Sequence, residues 1–449
     1  MGDPGGQGRT ALTVSTPPAI RVIGWRGVAF GVLAVVIGTT AGLLRQPGAG
    51  ALDTIWAEDG GIFLGEAVRE GPLSALTASY AGYYHLVPRL LAMIATAFPA
   101  GAASEVLAIE AAVVVSLLAL LVYVASGEHL PSRWSRLLVS APIVAVPVAQ
   151  GDVLNSIANL HWYGLYALFW MFIWTPTGRA GRAIATAVVF LVAASDILVV
   201  VFIPLALWRA LRRPAASTSP APRHGVLLGA ALAAGLVLQF AGLLTGSSER
   251  ELTPDPVRAV TGYILRAIPA PLVGERWLGD EITARWVMLA GVAWLVVGAA
   301  VLLAWLCTRR PGVVPAAAAV QPAWPLAIGA ALHSAGLYML PVLLSGTATP
   351  RYAVAPGLLV VTALVALLQP DHASGRGKAP LYALTGLLAL VTVVNFRVDN
   401  SRADGPTWSD ELDRARTACA SSGTAPAIPI TPRDETPPWQ VRAPCSYLR

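Results

Sequence analysis

Residues 286–306 read WVMLAGVAWLVVGAAVLLAWL, twenty-one in a row without a charge. As a helix rising ~1.5 Å per residue the run spans about 30 Å, the thickness of a bilayer's hydrocarbon core. A backbone in that medium must satisfy its own polar groups, so the segment is a helix and not an open strand. Working outward, Val28–Leu44, Glu110–Ala125, Val226–Leu244, Leu326–Leu344 and Ala353–Leu368 are of the same kind. Only 12% of the chain is charged, against about 25% in a soluble domain. The expectation is an all-α polytopic membrane protein with roughly ten or eleven transmembrane helices and further helices lying at its outer face. The polar N-terminus is followed by too long an apolar stretch, without a small-residue cleavage site, for a signal peptide. Val22–Leu44 therefore reads as a retained first span.

Charge sets the orientation. With Arg9, Arg21 and Arg26 inside, the loops bearing Arg133/Arg136, Arg179/Arg182, Arg209/Arg212/Arg213/Arg223, Arg309/Arg310 and Arg376/Lys378 all thread to the cytoplasmic side. Most acids then lie outside, the positive-inside pattern. The basic excess of +6 needs no nucleic-acid partner. Ala183–Trp208 carries Arg at both flanks and Ser195-Asp196 in its middle, which predicts two short helices in a hairpin with Asp196 at the outward tip. Tyr84–Phe98 and Glu105–Ala125 must together cross an odd number of times. A rival thread places loops 127–136 and 175–182 outside.

The resulting organisation is a cytoplasmic tail (1–21), a transmembrane domain (22–395) with outer loops 45–85 and 245–284, and an extracytoplasmic tail or cap (396–449). Pro214–Pro222 is a Pro/Ala/Ser linker. No internal repeat is visible, unlike many transporters. Cys307 falls on the inner side. Cys419 and Cys445 share the outer tail, where oxidation is possible; they are either a disulfide or two separate thiols.

Three constellations are candidates for chemistry. Trp56-Ala57-Glu58-Asp59-Gly60-Gly61 sets two carboxylates at the membrane's outer edge, beside glycines that let a ligand or another segment approach. Carboxylates this close to a bilayer point to function by default. Phe63–Arg69 has the spacing of a helix lying on the outer surface. Beyond it, Tyr80, Tyr83, Tyr84, His85 and Arg89 form a polar aromatic cluster. That cluster is either an interfacial belt with a snorkelling Arg or a place to hold an acceptor hydroxyl and an anionic donor.

The second constellation is Asp152, Asn155, Asn159, Trp162, Tyr163 and Tyr166, spaced by three and four so that one helix would show them on one face, with His161 on the other. They line a wet groove or glue neighbouring helices together. The third is Pro350-Arg351-Tyr352 at an outer helix start. Arg351 pairs with a phosphate through its planar fork or anchors the helix at the headgroups. No zinc spacing and no glycine-rich nucleotide loop is present.

In this order the motifs resemble those of bacterial polyprenyl-phosphate-sugar-dependent glycosyltransferases of the GT-C fold class. The resemblance covers the whole layout: an acidic motif in the first outer loop, many spans and an outer tail. The segments at 82–89, 155–162 and 350–352 look like ones found in uncharacterised members of that kind. The resemblance implies transfer of a sugar from a polyprenyl-phosphate donor to a hydroxyl of a cell-envelope glycan, lipid or protein, outside the bacterial cell membrane. It takes Asp59 first and Glu58 second as the base. His85, Arg89, Asp152, Asn155, Asn159, His161, Trp162, Tyr163, Arg351 and Tyr352 are the expected substrate contacts. The donor is already activated by its phosphate, so no nucleotide or other cofactor is implied, and metal dependence stays open. No large carbohydrate-binding domain follows, which speaks against processive transfer. The competing readings are a transporter or flippase of a lipid-linked or polar solute, with Asp152 and Asp196 as intramembrane sites, and a lipid-linked polymerase or ligase.

Overall fold

The computed structural model describes residues 25–211, 221–245, 252–278, 282–310, 313–371, 376–424, 426–433 and 435–449. The 1–21 tail, Pro214–Pro220 of the linker and parts of loop 245–284 lie outside the described residues. What is described is mostly helical, with one antiparallel strand pair, Ile428–Pro429 against Gln440–Val441.

Six helical stretches are long and apolar enough to cross a membrane: Trp25–Leu44, Ala100–Glu128, His224–Leu244, Ala284–Arg309, Trp324–Ser345 and Pro350–Leu367. Their flanks expose large apolar side chains such as Leu295 (73%) and Leu332 (67%). Such surfaces suit lipid. The interior is built around Leu160–Ile173 and Val354–Leu367, which are buried on nearly every side, as expected for helices apolar all round. Tyr166 joins them: its hydroxyl meets Thr362 Oγ1 at 2.9 Å and the Val139 carbonyl at 2.6 Å. A polar group so deep is tolerable because it is bonded.

Trp25–Leu44 runs antiparallel to Ala103–Ala125, with Gly31, Gly38 and Gly42 facing Leu120, Ser116 and Ala112. A Cβ at Gly38 would sit 2.7 Å from Ser116 Oγ. Gly38 and Gly42 form the small-xxx-small spacing that lets membrane helices approach closely.

The helices connect two ends. At one, the Glu128 carboxylate accepts the Thr175 amide (2.7 Å), Arg209 donates to Thr175 Oγ1 (2.7 Å), Ser135 meets Gln369 and Trp324 donates to Thr308. The Arg-bearing loops at 133–136 and 179–182 therefore share an end with 309–310 and 376–378. At the other end Arg45, buried at the close of the first helix, donates to the carbonyls of Val144 (2.6 Å), Val146 (2.6 Å) and Phe396 (3.1 Å). It ties three segment ends together where helix carbonyls lack partners. Of the two apolar segments between 84 and 125, only Ala103–Ala125 runs from end to end. Leu86–Ala95 starts at the Ala194 carbonyl, and the chain is at the same end again at Ala100, which accepts from Trp408.

Between 179 and 211 the chain forms a hairpin of Arg179–Ala193 and Ile197–Leu211, and Arg209 returns to Trp174 and Thr175. Asp196 caps the second arm by accepting the Leu198 amide at 2.7 Å. The tip is covered by the chain leading into Leu86–Ala95: Ser195 and Ala194 accept the amides of Val87 and Leu86, and Asp196 is 4% exposed.

After helix Lys378–Val394 the chain folds into a cap of helix Trp408–Ser422, the short strand pair and helix Cys445–Leu448. Cys419 and Cys445 are bonded, with Cα atoms 5.7 Å apart. The cap shares an apolar core with the first long loop, including Ile55, Phe63, Leu64, Trp408, Leu412 and Ile430. Phe63–Arg69 is accordingly not a helix resting on the surface, since Phe63 and Leu64 are buried under this core. Reduction of the disulfide, whose cysteines are 26 residues apart, is expected to lower cap stability by ~3 kcal/mol on loop entropy. Limited proteolysis with and without reductant measures it. Equal cleavage of the two forms would assign the cap's order to its apolar core alone.

Candidate functional site

The acidic motif enters the site as an edge. The Ala57 amide donates to the Thr431 carbonyl (2.6 Å) and the Thr431 amide to the Ile55 carbonyl (3.1 Å), so the cap pairs with Ile55–Ala57 as a strand would. The paired glycines serve this contact. A Cβ on Gly60 would lie 2.8 Å from Ile430, and one on Gly61 3.0 Å from Trp439. From Asp59 to Leu64 the chain takes a π-helical turn, a local widening that often accompanies function.

Asp59 points into the protein. Its carboxylate accepts the Ala158 amide (2.8 Å), the Ile157 amide (3.1 Å) and the Ser156 hydroxyl (3.1 Å), and the residue is 2% exposed. The segment 154–159 is therefore a loop, not a stretch of helix. This corrects the single helical stripe expected over 152–166. Gln150–Val153 is a short helix, Asn155 adopts a left-handed backbone (φ 49°), and the long helix begins at Leu160. The amides that continued helix would have bonded internally are turned onto the carboxylate, a compensation that permits irregular backbone where protein covers it. Asn155 and Asn159 hold this loop: Asn155 donates to the Gly42 carbonyl and Gln46, Asn159 to the Asp152 carbonyl and Ser156.

Burial pushes the Asp59 carboxyl up to about 7, opposed by the Ala158 amide and by Arg402. Its neutral form is thus favoured on folding. The stabilisation this gives is complete below about pH 4, near the ordinary Asp value, and is lost as pH rises through about 7. Thermal unfolding is expected to occur at progressively lower temperature between those limits, and Asp59→Asn, uncharged throughout, to flatten that trend. An identical pH slope in the variant would assign it to other groups.

Glu58 faces the other way. It is partly exposed, and its buried Oε2 takes no hydrogen bond among the described residues. Its carboxyl is raised above the usual range by burial, with Arg351 pulling it down and Asp152 and Glu435 adding to the rise. Arg351 in turn feels Asp152, Glu58, Tyr352 and Tyr83. Beside it the rings of Tyr352 and Trp162 lie 5.3 Å apart, and Trp162 lies 4.7 Å from His161. His161 Nδ1 is 2.8 Å from the Ala158 carbonyl and Nε2 is 3.7 Å from the Asp196 carboxylate. His161 therefore belongs to the same assembly as Trp162, contrary to the helical-wheel expectation. Glu58, Asp152, His161, Arg351, Tyr352 and Tyr83 are all partly exposed. Two carboxylates, a guanidinium and an aromatic pair thus gather at one end of the helices.

Other expected contacts are placed elsewhere. Arg89 pairs with Glu66 (2.8 Å), donates to the Ala75 carbonyl (2.7 Å) and lies over the Phe63 ring. His85 sits among Phe63, Tyr80 and Tyr83, its ring 4.3 Å from that of Tyr83. Both are buried and support the first loop. Tyr163 is buried in the helical core.

Arg402 is the residue sequence reasoning missed. Sent in from the cap and 2% exposed, it donates to the carbonyls of Gly151 (2.5 Å) and Asp152 (3.1 Å) and to Gln46 Oε1 (3.1 Å). Its guanidinium lies 4.5 Å from the Trp56 ring centroid. Between Asp399 and Asp404 in a polar stretch, it carries no local signal that separates it from a surface Arg.

Among the described residues no group of three or more His, Cys, Asp or Glu side chains is arranged to hold a metal ion. No protein-family model, curated protein or solved structure matches this chain.

Proposed function

We propose that this chain is a GT-C-like membrane glycosyltransferase of the bacterial cell membrane. In this reading it takes a sugar from a polyprenyl-phosphate donor to a cell-envelope hydroxyl on the extracytoplasmic side. The observation that carries the reading is the placement of the partly exposed, raised Glu58 carboxyl opposite Arg351, beside the Trp162–Tyr352 pair. Counting the shorter passes Arg133–Val144, Leu160–Ile173, Arg179–Ala193, Ile197–Leu211 and Lys378–Val394 with the six long ones gives eleven crossings. The Arg-rich end then faces the cytoplasm and the capped end the outside, where the disulfide is at home.

The chemistry assigned to the site is a displacement at the anomeric carbon. The acceptor O–H gives its proton to Glu58, the oxygen bonds to the carbon, and the carbon–phosphate-oxygen bond breaks with its electron pair leaving on the phosphate. Arg351 faces that phosphate and stabilises the departing charge. Asp152 sets the position of Arg351. Tyr352, partly exposed and backed by the buried Trp162 ring, offers an apolar face for the sugar. Glu58 is preferred to Asp59 as base because reach precedes acidity: both Asp59 oxygens are engaged and covered. Asp59 then organises loop 154–159. A transporter is less supported, since Asp152 and Asp196 both lie at the capped end and mark no path between the ends.

The test is turnover of radiolabelled polyprenyl-phosphate sugars by the protein in liposomes that also hold envelope acceptors. Absence of transfer or donor cleavage across a panel of sugars would overturn the reading. For the orientation, cysteines placed at Ser421 and Arg376 are expected to react with impermeant reagent from outside and inside respectively. The reverse pattern would invert the topology.

A further inference from the structure

The cap brings a second aromatic to the acidic motif, while the cation of the same cap segment, Arg433, is drawn to Glu411 at 3.9 Å. Trp439 precedes the strand residues Gln440–Val441 and packs on Gly61, three residues after Glu58, with its ring edge where a Cβ would meet it at 3.0 Å. Its indole N–H donates to the Glu435 carboxylate at 2.5 Å. Trp439 remains partly exposed, while Glu435, Pro437 and Pro438 are exposed. Glu435 is also close enough to raise the Glu58 carboxyl. Glu58 thus has Arg351 and Asp152 as neighbours from the helices, and from the cap the buried Arg402 on its inner side and Glu435 with its tethered Trp439.

We propose that Trp439 and Glu435 form the acceptor subsite, and that it takes a neutral carbohydrate. This rests on the glycosyltransferase reading and adds to it the class of acceptor. A carboxylate at this position repels phosphate and uronate alike, so the donor's anion belongs at Arg351 and a charged acceptor is disfavoured. An indole anchored by its own N–H keeps its ring in one orientation at little entropic cost. Such a ring offers an apolar surface to the C–H face of a sugar, while a carboxylate accepts hydrogen bonds from sugar hydroxyls. The cap residues between Thr431 and Gln440 then select the acceptor, while the helices bind the donor.

The experiment uses the full-length protein in liposomes with radiolabelled donor. The acceptors are the neutral and the anionic glycan fractions of the producing cell's own envelope, separated on an anion exchanger. The wild type is expected to transfer to the neutral fraction. Trp439→Ala is expected to raise the KM for that fraction about tenfold, equivalent to ~1.4 kcal/mol, with the donor KM unchanged. Trp439→Phe is expected to retain most of the affinity, and Glu435→Gln to lose a few-fold. Should Trp439→Ala fail to form its disulfide, the Phe and Gln variants carry the test. Unaltered acceptor KM in all properly folded variants would overturn the subsite. Preference for the anionic fraction, or better transfer by Glu435→Gln, would overturn the neutral class. A wild type that cleaves no donor with either fraction would instead sink the glycosyltransferase reading itself.

Discussion

Glu58→Gln is expected to lower sugar transfer by ~10²-fold or more, the usual scale for losing a positioned base, with donor binding intact. The amide keeps the volume of the carboxyl but cannot take the acceptor's proton. Binding is spared because the donor phosphate is assigned to Arg351, which loses only a charge neighbour. Asp59→Asn is expected to act differently. It weakens the bonds from the Ile157 and Ala158 amides and the Ser156 hydroxyl, so it lowers stability and alters the rate indirectly. The measurement is kcat and donor Kd for the two variants, with thermal unfolding alongside. A larger kcat loss in Asp59→Asn at unchanged stability would make Asp59 the base and leave Glu58 as its neighbour.

Arg402→Met is expected to destabilise the capped end by about 3–5 kcal/mol, the range for removing one partner of a buried charged arrangement. The substitution keeps much of the apolar stem, so the loss falls on the head group. The Gly151 and Asp152 carbonyls and Gln46 each lose a donor. Asp59 also loses its nearby positive charge. Arg402→Lys is expected to recover only part, because one ammonium cannot match a planar fork reaching two carbonyls and an amide. Thermal or denaturant unfolding in detergent reads the effect. A Met variant within ~1 kcal/mol of wild type would show that the cap stands without this contact.

The membrane-helix character was legible from residues 286–306 and their counterparts because a lipid-facing helix is recognised by composition and length, both local properties. The Arg-bearing loops were equally legible, since loops that must gather at one end carry the same charge. The hairpin at 179–211 could be read because charge at both flanks left a single span unable to satisfy the orientation rule. The acidic motif stood out because carboxylates are sparse near a bilayer.

Which carboxylate faces outward was not legible. Glu58 and Asp59 are adjacent, and only loop 154–159, almost a hundred residues later, absorbs one of them. The spacing at 152–166 misled for the same reason: i,i+3 and i,i+4 periodicity assumes a helix, and the amides of Ile157 and Ala158 bond to Asp59 instead. Arg89 looked like an anion-binding cation until Glu66 paired with it. Arg402 looked like a surface residue of the tail until the cap folded back. The sequence by itself determined a helical membrane protein, its charge asymmetry and the segment bearing its carboxylates, because these depend on transfer of side chains between water and lipid. The tertiary structure alone decided which groups are engaged and which remain available. Hydrogen bonds and burial are set by partners distant in the chain, and no local pattern encodes them.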